Sequence, residues 1–437
     1  MLQNPHLKAD LEELGLAKAD LMQAGLFRNP KVDLQTKFPI NPNIVKPSFV
    51  TQYDAHLVFS LSELWQIGAR KKVAQDELEI VSMRNNQTIL ETYAHAKKAY
   101  FDCIAALARR DLADKIVEIA YAWKDRMYYR KDFGLVTDLD TYRADAQIGD
   151  YELDIIHHNQ EVQTDFIKLR YLLGTDVSSA HIPLTEQFNV PETLPNLQNL
   201  ITWALADHPA MQLAHLKIQQ AEHRLSLEKR RTIKEVDIGF AFERDFDRPI
   251  GPGLYVGMEL PFFDRNAAQI AHANAQVNKA AKELKLQEAI TQKNVAEAYQ
   301  AVVAAYEATK TYATIVNNYA KAVTFANEQV LSMMFDKTVA LETNLSLHQA
   351  KKRQITAYNA LAHTWTDLEK AVGRKIPLIN ADNLMSTPSM ELQSDEVYAH
   401  VITMAPKRDR KQSSALKDVS KNIKLLFPNA ITASNQK

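Results

Sequence analysis

Glycine is scarce, with 11 residues in 437, well under half of the usual ~7% share. That argues against a glycine-rich nucleotide cradle and against a collagen-like or low-complexity chain. The single cysteine, Cys103, forms no internal disulfide; among Tyr100, Phe101, Ile104 and Ala105 it reads as a small buried apolar side chain on a helix. Redox compartment stays open, since exported proteins without disulfides exist beside cytosolic ones. No run of about 18 apolar residues occurs, so no membrane-spanning helix is expected. Neither charge sign dominates, with 52 basic and 53 acidic residues and a net charge of -1, which argues against a nucleic-acid binder. The segment Met1-Leu-Gln-Asn-Pro-His6 has no basic region leading into an apolar core. The expectation is therefore either a cytosolic protein or a chain whose targeting segment precedes Met1.

Proline is absent between Pro47 and Pro183 and again between Pro261 and Pro377, and Gly373 is the lone glycine of the second interval. These intervals read as very long helices. Apolar positions recur at alternating spacings of three and four: Ile89, Tyr93, Ala96, Tyr100, Ile104 and Leu107 in the first; Val295, Tyr299, Val302, Tyr306, Ala313 and Val316 in the second. That is a heptad-like seam. A helix over 266–333 would be roughly 100 Å long at 1.5 Å per residue, too long for a globular core. It is stabilised by packing side by side, and Ala296, Ala298, Ala301, Ala304 and Ala305 allow close approach. Taken alone, the helices also fit a cytosolic coiled coil.

Two places alternate with period two. Val32, Leu34, Thr36 and Phe38 are followed, past a Pro/Asn-rich connection, by Leu57, Phe59 and Leu61; Val236, Ile238, Phe240 and Phe242 are followed by Leu254, Val256, Met258 and Leu260. They read as β-hairpins over 31–62 and 233–261, each with one apolar and one polar face, and Gly251-Pro-Gly253 reads as a turn. Each strand approaches the ~10 residues of a tilted transmembrane strand. Four strands cannot close a barrel around water, so several chains would contribute. A small soluble sheet is the other reading.

The chain repeats itself. Residues 4–38 lie on 208–242 without a gap, matching Pro5 with Pro209, Leu21 with Leu225, Asp33 with Asp237 and Phe38 with Phe242. The first repeat, 1–196, has a helix, the hairpin 31–62, a long helix 65–132, a return helix 138–174 and a linker. The second, 197–385, has the hairpin 233–261, a long helix 266–333 and a return helix 338–373 in the same order. Each hairpin lies at one end of a long helix and a tight turn at the other. The architecture expected is mainly α with a small β part, an α-barrel of antiparallel helices below a β-barrel. Residues 386–437, with Lys407, Arg408, Arg410 and Lys411, fall outside this scheme and read as a tail, partly disordered or equatorial.

With these elements in order, the sequence resembles the TolC family of outer-membrane efflux proteins. The resemblance covers the chain to about Pro377. It rests on the opening Asn4-Pro5 helix, Gln23-Ala-Gly-Leu-Phe-Arg-Asn-Pro30, Leu260-Pro-Phe-Phe-Asp-Arg-Asn266, Phe133-Gly-Leu-Val-Thr-Asp-Leu-Asp-Thr-Tyr-Arg-Ala144 and its counterpart over 338–350. It implies a homotrimer in which each chain gives four strands to a twelve-stranded transmembrane barrel and its helices to a periplasmic conduit. It implies as partners a periplasmic adaptor (membrane fusion protein), an inner-membrane pump of the resistance-nodulation-division type or similar, and outer-membrane lipid. The lipid-facing residues would be the apolar strand set named above. The adaptor-contacting tip would comprise Gly134, Leu135, Val136 and Thr137 with Asp336, Lys337 and Thr338. The second turn departs from the family, which often has Gly where Asp336 stands. The Gln23-Ala-Gly-Leu start is similar to members serving heavy-metal efflux. The family carries a signal peptide, often with a lipid-modified cysteine, and neither is seen near Met1.

Chemical motifs are sparse. No phosphate-loop, nucleophile-elbow or zinc signature occurs. His157 or His158 with Glu161, and His215 with His223, have ligand-like spacing but read as solvated pairs. Asp138 and Asp140 beside the tip read as helix-capping groups, with a lumen charge as the alternative. The expectation is a passive export duct for small molecules or metal ions, with no enzymatic activity, cofactor or nucleic-acid partner. The alternative is a soluble coiled-coil scaffold.

Overall fold

A computed structural model describes residues 4–38, 51–176, 182, 184, 190–233, 235–244, 251–332 and 336–376. Their elements are α1 (Pro5–Ala24), β1 (Lys31–Lys37), β2 (Gln52–Ser60), α2 (Glu63–Asp132), α3 (Asp138–Leu173), α4 (Leu197–Asp207), α5 (Pro209–Arg230), β3 (Val236–Arg244), β4 (Gly251–Met258), α6 (Ala267–Leu331) and α7 (Lys337–Val372). At 70 and 65 residues, α2 and α6 are each roughly 100 Å long.

The ends of these helices follow from single residues. Gly134 takes φ +69° after α2, where its N–H donates to the Lys131 carbonyl (2.8 Å) and that of Leu135 to Arg130 (3.0 Å). This Schellman closure needs a left-handed residue, which glycine adopts at least cost. Gly174 repeats it after α3 at φ +72°, and Gly373 stops α7 at φ +84°.

Helices pack with helices and strands with strands. α2 lies against α3 and α1 on one side and α7 and α5 on the other, and α6 closes the far side against α7 and α5. The helical layer therefore reads α3/α1, α2, α7/α5, α6, and α4 lies over α6 and α7. Equivalent cores occur in the two halves. Ala99, Cys103, Ala106, Val162, Phe166 and Leu169 pack together, and at one constant spacing along the chain Ala298, Val302, Ala305, Leu361, Trp365 and Leu368 do the same. The second core is capped by Leu200 and Ala204 of α4, the first by Ile182 and Leu184. Each half also seats its opening helix alike. The Asn4 side chain accepts from the His6 N–H (2.9 Å) and donates to the Leu172 carbonyl (3.0 Å). His208 accepts from the Ala210 N–H (3.1 Å) and lies against Gly373, where a Cβ would approach its Cα to 2.9 Å.

The strands form one antiparallel sheet in the order β1-β2-β3-β4. The central pair joins the halves, with Leu57 opposite Phe240 and Phe59 opposite Ile238.

Several expectations need correction. Phe38 follows the last residue of β1, and Leu61 and Leu260 lie beyond β2 and β4, because alternation along the chain outlasts the strands, although the Leu61 N–H still donates to the Val236 carbonyl at 2.7 Å. Gly251-Pro-Gly253 is strand, with Gly251 opposite Glu243 and Gly253 opposite Ala241; residues 245–250, between β3 and β4, lie outside the described residues. α4 is an added helix in front of α5. The proposed tail, 386–437, lies outside the described residues.

Candidate functional site

The register brings the predicted apolar positions onto one face. Val32 opposes Leu57, which opposes Phe240, which opposes Leu254; on either side, Leu34 pairs with Ala55, Phe59 with Ile238, Ile238 with Val256 and Val236 with Met258. Paired residues share a face in an antiparallel ladder, so a continuous apolar surface crosses four strands. It is bare: Leu254 is 78%, Leu34 76% and Val256 72% exposed. The other face carries Asp33, Gln35, Asp54, His56 and Glu243 beside Gly239, Ala241, Gly253 and Gly257. There the ring of Tyr255 meets that of His56 edge-on at 5.9 Å. Gly239 is required, since a Cβ would collide with the Leu57 carbonyl oxygen.

The outer edges of β1 and β4 pair with nothing among the described residues. Long open edges are templates for another chain. The helical layer is open in the same way. Leu153, Ile156 and Tyr171 of α3 and Leu16 and Met22 of α1 are exposed along one side, and Leu286, Phe325 and Leu331 of α6 along the other.

At the far end of α2, Gly134, Leu135 and Val136 form the turn into α3, with Leu135 exposed. Thr137 is the N-cap of α3: its backbone N–H (2.9 Å) and hydroxyl (2.7 Å) both donate to Asp140. Asp138 pairs with Lys131 at 2.6 Å. Asp336 caps α7 by accepting from the Thr338 N–H (2.7 Å) and hydroxyl (2.5 Å), and it takes a third bond from Arg126 of α2 at 3.1 Å. Lys337 and Thr338, expected in the turn, are instead the first residues of α7, and Thr338 is buried. Residues 333–335 lie outside the described set.

Arg126 and Arg130, which donates to the Thr338 hydroxyl at 3.4 Å, thus tie one tip to the other. Their spacing of four on the last turns of α2 was the available signal. Burial raises the Asp336 pKa, but the bonds from Thr338 and Arg126 outweigh it and hold the carboxyl at about 2. A depressed carboxyl stabilises above its unfolded value and loses that contribution as pH falls through the folded one. Asp336→Ala is expected to lower stability by about 1 kcal/mol, the cost of a lost N-cap. Thermal melts should show this difference at pH 7 and see it shrink between pH 4 and pH 2.

The other candidates are structural. His158 Nδ1 and Glu161 lie 2.8 Å apart, and Arg109 donates to the same carboxylate at 3.0 Å. The His157 ring lies beside that of His158, 5.5 Å away. His223 faces buried Asp76 at 2.5 Å, which also accepts from Gln219, while His215 is exposed. No group of three or more His, Cys, Asp or Glu able to hold a metal occurs among the described residues. Cys103 is buried, and burial, then Asp165 and Asp102, push its thiol up to about 12. No helix among the described residues is long and apolar enough to cross a membrane.

No family model and no curated protein sequence matches the chain. Solved structures do match. A membrane protein from Pseudomonas aeruginosa superposes with TM-score 0.70 at 16% identity, covering 85% of this chain and 87% of that one. The MtrE outer membrane channel of Neisseria gonorrhoeae, in its open state, gives 0.67 at 16% over 85% and 86%. CusC, described for transmembrane channel formation, gives 0.69 at 14% over 85% and 90%. At such identities the likeness is one of fold, and it agrees with a long helical layer ending in a four-stranded sheet with one bare apolar face: the chain has the fold of the TolC-type outer-membrane channels.

Proposed function

We propose that this chain is the outer-membrane duct of an efflux system. Three copies join β4 of one to β1 of the next, and α6 of one to the α3/α1 side of the next, in a closed head-to-tail ring. The observation that carries this reading is the pairing of a bare apolar sheet face with open edges on both sheet and helical layer. A soluble sheet of four strands would bury its apolar face; this one leaves it uncovered. In the ring, the apolar face meets lipid, the polar face with Asp33, Asp54 and His56 lines water, and the unpaired edges vanish. Two tandem repeats, 1–196 and 197–385, give each copy two similar halves side by side, six around the tube.

The duct is passive and carries out no covalent chemistry. Small molecules or metal ions enter at the helical end from a periplasmic adaptor and an inner-membrane pump, the partners that the family resemblance implies. Gly134, Leu135, Val136, Thr137, Asp336, Lys337 and Thr338 mark that end. Gly134→Ala, forcing a side chain into the left-handed region, is expected to cost roughly 1–2 kcal/mol locally. It should raise hydrogen exchange in 130–140 while leaving the sheet unchanged. Reconstitution into planar bilayers tests the function: unitary ion conductance of fixed size is expected, and inserted protein that conducts nothing contradicts it.

A further inference from the structure

We propose that the loop 261–265 is a lipid anchor seated at the headgroup and acyl boundary of a phospholipid leaflet. The two halves of the molecule differ here. The first passes from β2 to α2 through Leu61 and Ser62 alone, whereas the second takes residues 259–266 to pass from β4 to α6. Since the first half makes the same step from strand to helix in two residues, the extra length is not needed to join the two elements. What it adds is Phe262, 70% exposed, and Phe263, fully exposed.

The loop is built rather than slack. Asn266 takes a left-handed conformation (φ 61°) and is buried, its side chain donating to the Glu228 carbonyl at 2.8 Å and the Glu228 carboxylate at 3.0 Å. Its backbone N–H donates to Asp264 at 2.9 Å, and the Phe262 N–H donates to the Leu260 carbonyl at 2.8 Å. Two phenyl rings held out by such a frame present apolar area that water penalises.

The occupant follows from what adjoins them. The loop continues directly from Val256 and Met258 on the bare apolar face. The other strand ends at this end of the sheet bring Leu26, Phe27 and Leu64, also exposed. Lys229, Arg230 and Arg265 are exposed at the same end, and cations beside aromatic rings suit a phosphate-bearing interface. The proposal rests on the reading of the sheet as lipid-facing.

The test places tryptophan at each level by Phe263→Trp and, separately, Val256→Trp in the full chain. Each is reconstituted into phosphatidylcholine and phosphatidylglycerol vesicles carrying bromine near the headgroup or deep in the acyl chain. Emission of the unmodified chain, with Trp65, Trp123, Trp203 and Trp365, is subtracted. At position 263 the added emission should shift to the blue and be lost mainly to shallow bromines, and at position 256 mainly to deep ones. Quenching at 256 with none at 263 overturns the anchor while leaving the barrel standing, and places the loop in water or against a protein. Quenching at neither position overturns both.

Discussion

Phe240→Arg is expected to abolish assembly in the membrane. Phe240 lies mid-strand in β3, opposite Leu57 on one side and Leu254 on the other, at the centre of the apolar face. A cation at the middle of a lipid-facing barrel surface costs about 2–4 kcal/mol per copy, and a ring of three meets that cost three times. Membrane-extracted protein run under mild detergent should lose its trimer band. Gln35→Arg supplies the control, because Gln35 lies on the opposite, polar face of β1 and a charge there should leave the trimer intact. Equal tolerance of both substitutions would mean that neither face meets lipid.

The second large effect concerns Glu63. It opens α2 at the joint between sheet and helices, only 1% exposed, with Arg70 at 2.8 Å and Arg28 at 3.1 Å. Arg70 also donates to the carbonyls of Ala24 (2.9 Å) and Leu26 (2.7 Å), so one carboxylate organises the end of α1, the approach to β1 and the start of α2. Glu63→Ala leaves two guanidinium groups without their shared anion. Losing one partner of a buried pair costs about 3–5 kcal/mol, and the low end applies because Arg28 is half-exposed and retains Glu235 at 3.0 Å. Denaturant melts of the detergent-solubilised protein should show this loss, and Glu63→Gln, which keeps hydrogen-bond acceptance, should show less of it. A Glu63→Ala protein as stable as the parent would remove the joint from the account.

Much of this architecture is legible in the sequence, for physical reasons. The long helices were expected at 65–132 and 266–333 and are found at Glu63–Asp132 and Ala267–Leu331. Glycine and proline punctuate a chain otherwise free of breakers, so their rarity marks the ends sharply. The apolar face was equally readable, since a side-chain period of two survives any twist. Strand limits were not: Phe38, Leu61 and Leu260 keep the alternation but fall outside the strands. α4 was missed because its eleven residues sit between Pro195 and Pro209 and have no counterpart in front of α1 in the first repeat.

The seam between the halves was also hidden. Lys97 meets Glu369 and Lys98 meets Asp367, each at 2.5 Å, and Asp102 faces His363 at 2.7 Å. The partners of these pairs lie far apart along the chain, where local periodicity carries no information. The scarcity of glycine, at first an argument against phosphate loops, now has a structural account. Most of the chain is rod, and the left-handed glycines close rods at Gly134, Gly174 and Gly373.

The most direct test of the central claim is the mass of the detergent-solubilised full chain, determined by light scattering and paired with circular dichroism. The account predicts a trimer with mixed helix and strand that aggregates when detergent is withdrawn. A monomer that stays folded and fully stable in plain buffer would contradict it, and would favour a soluble coiled-coil scaffold instead.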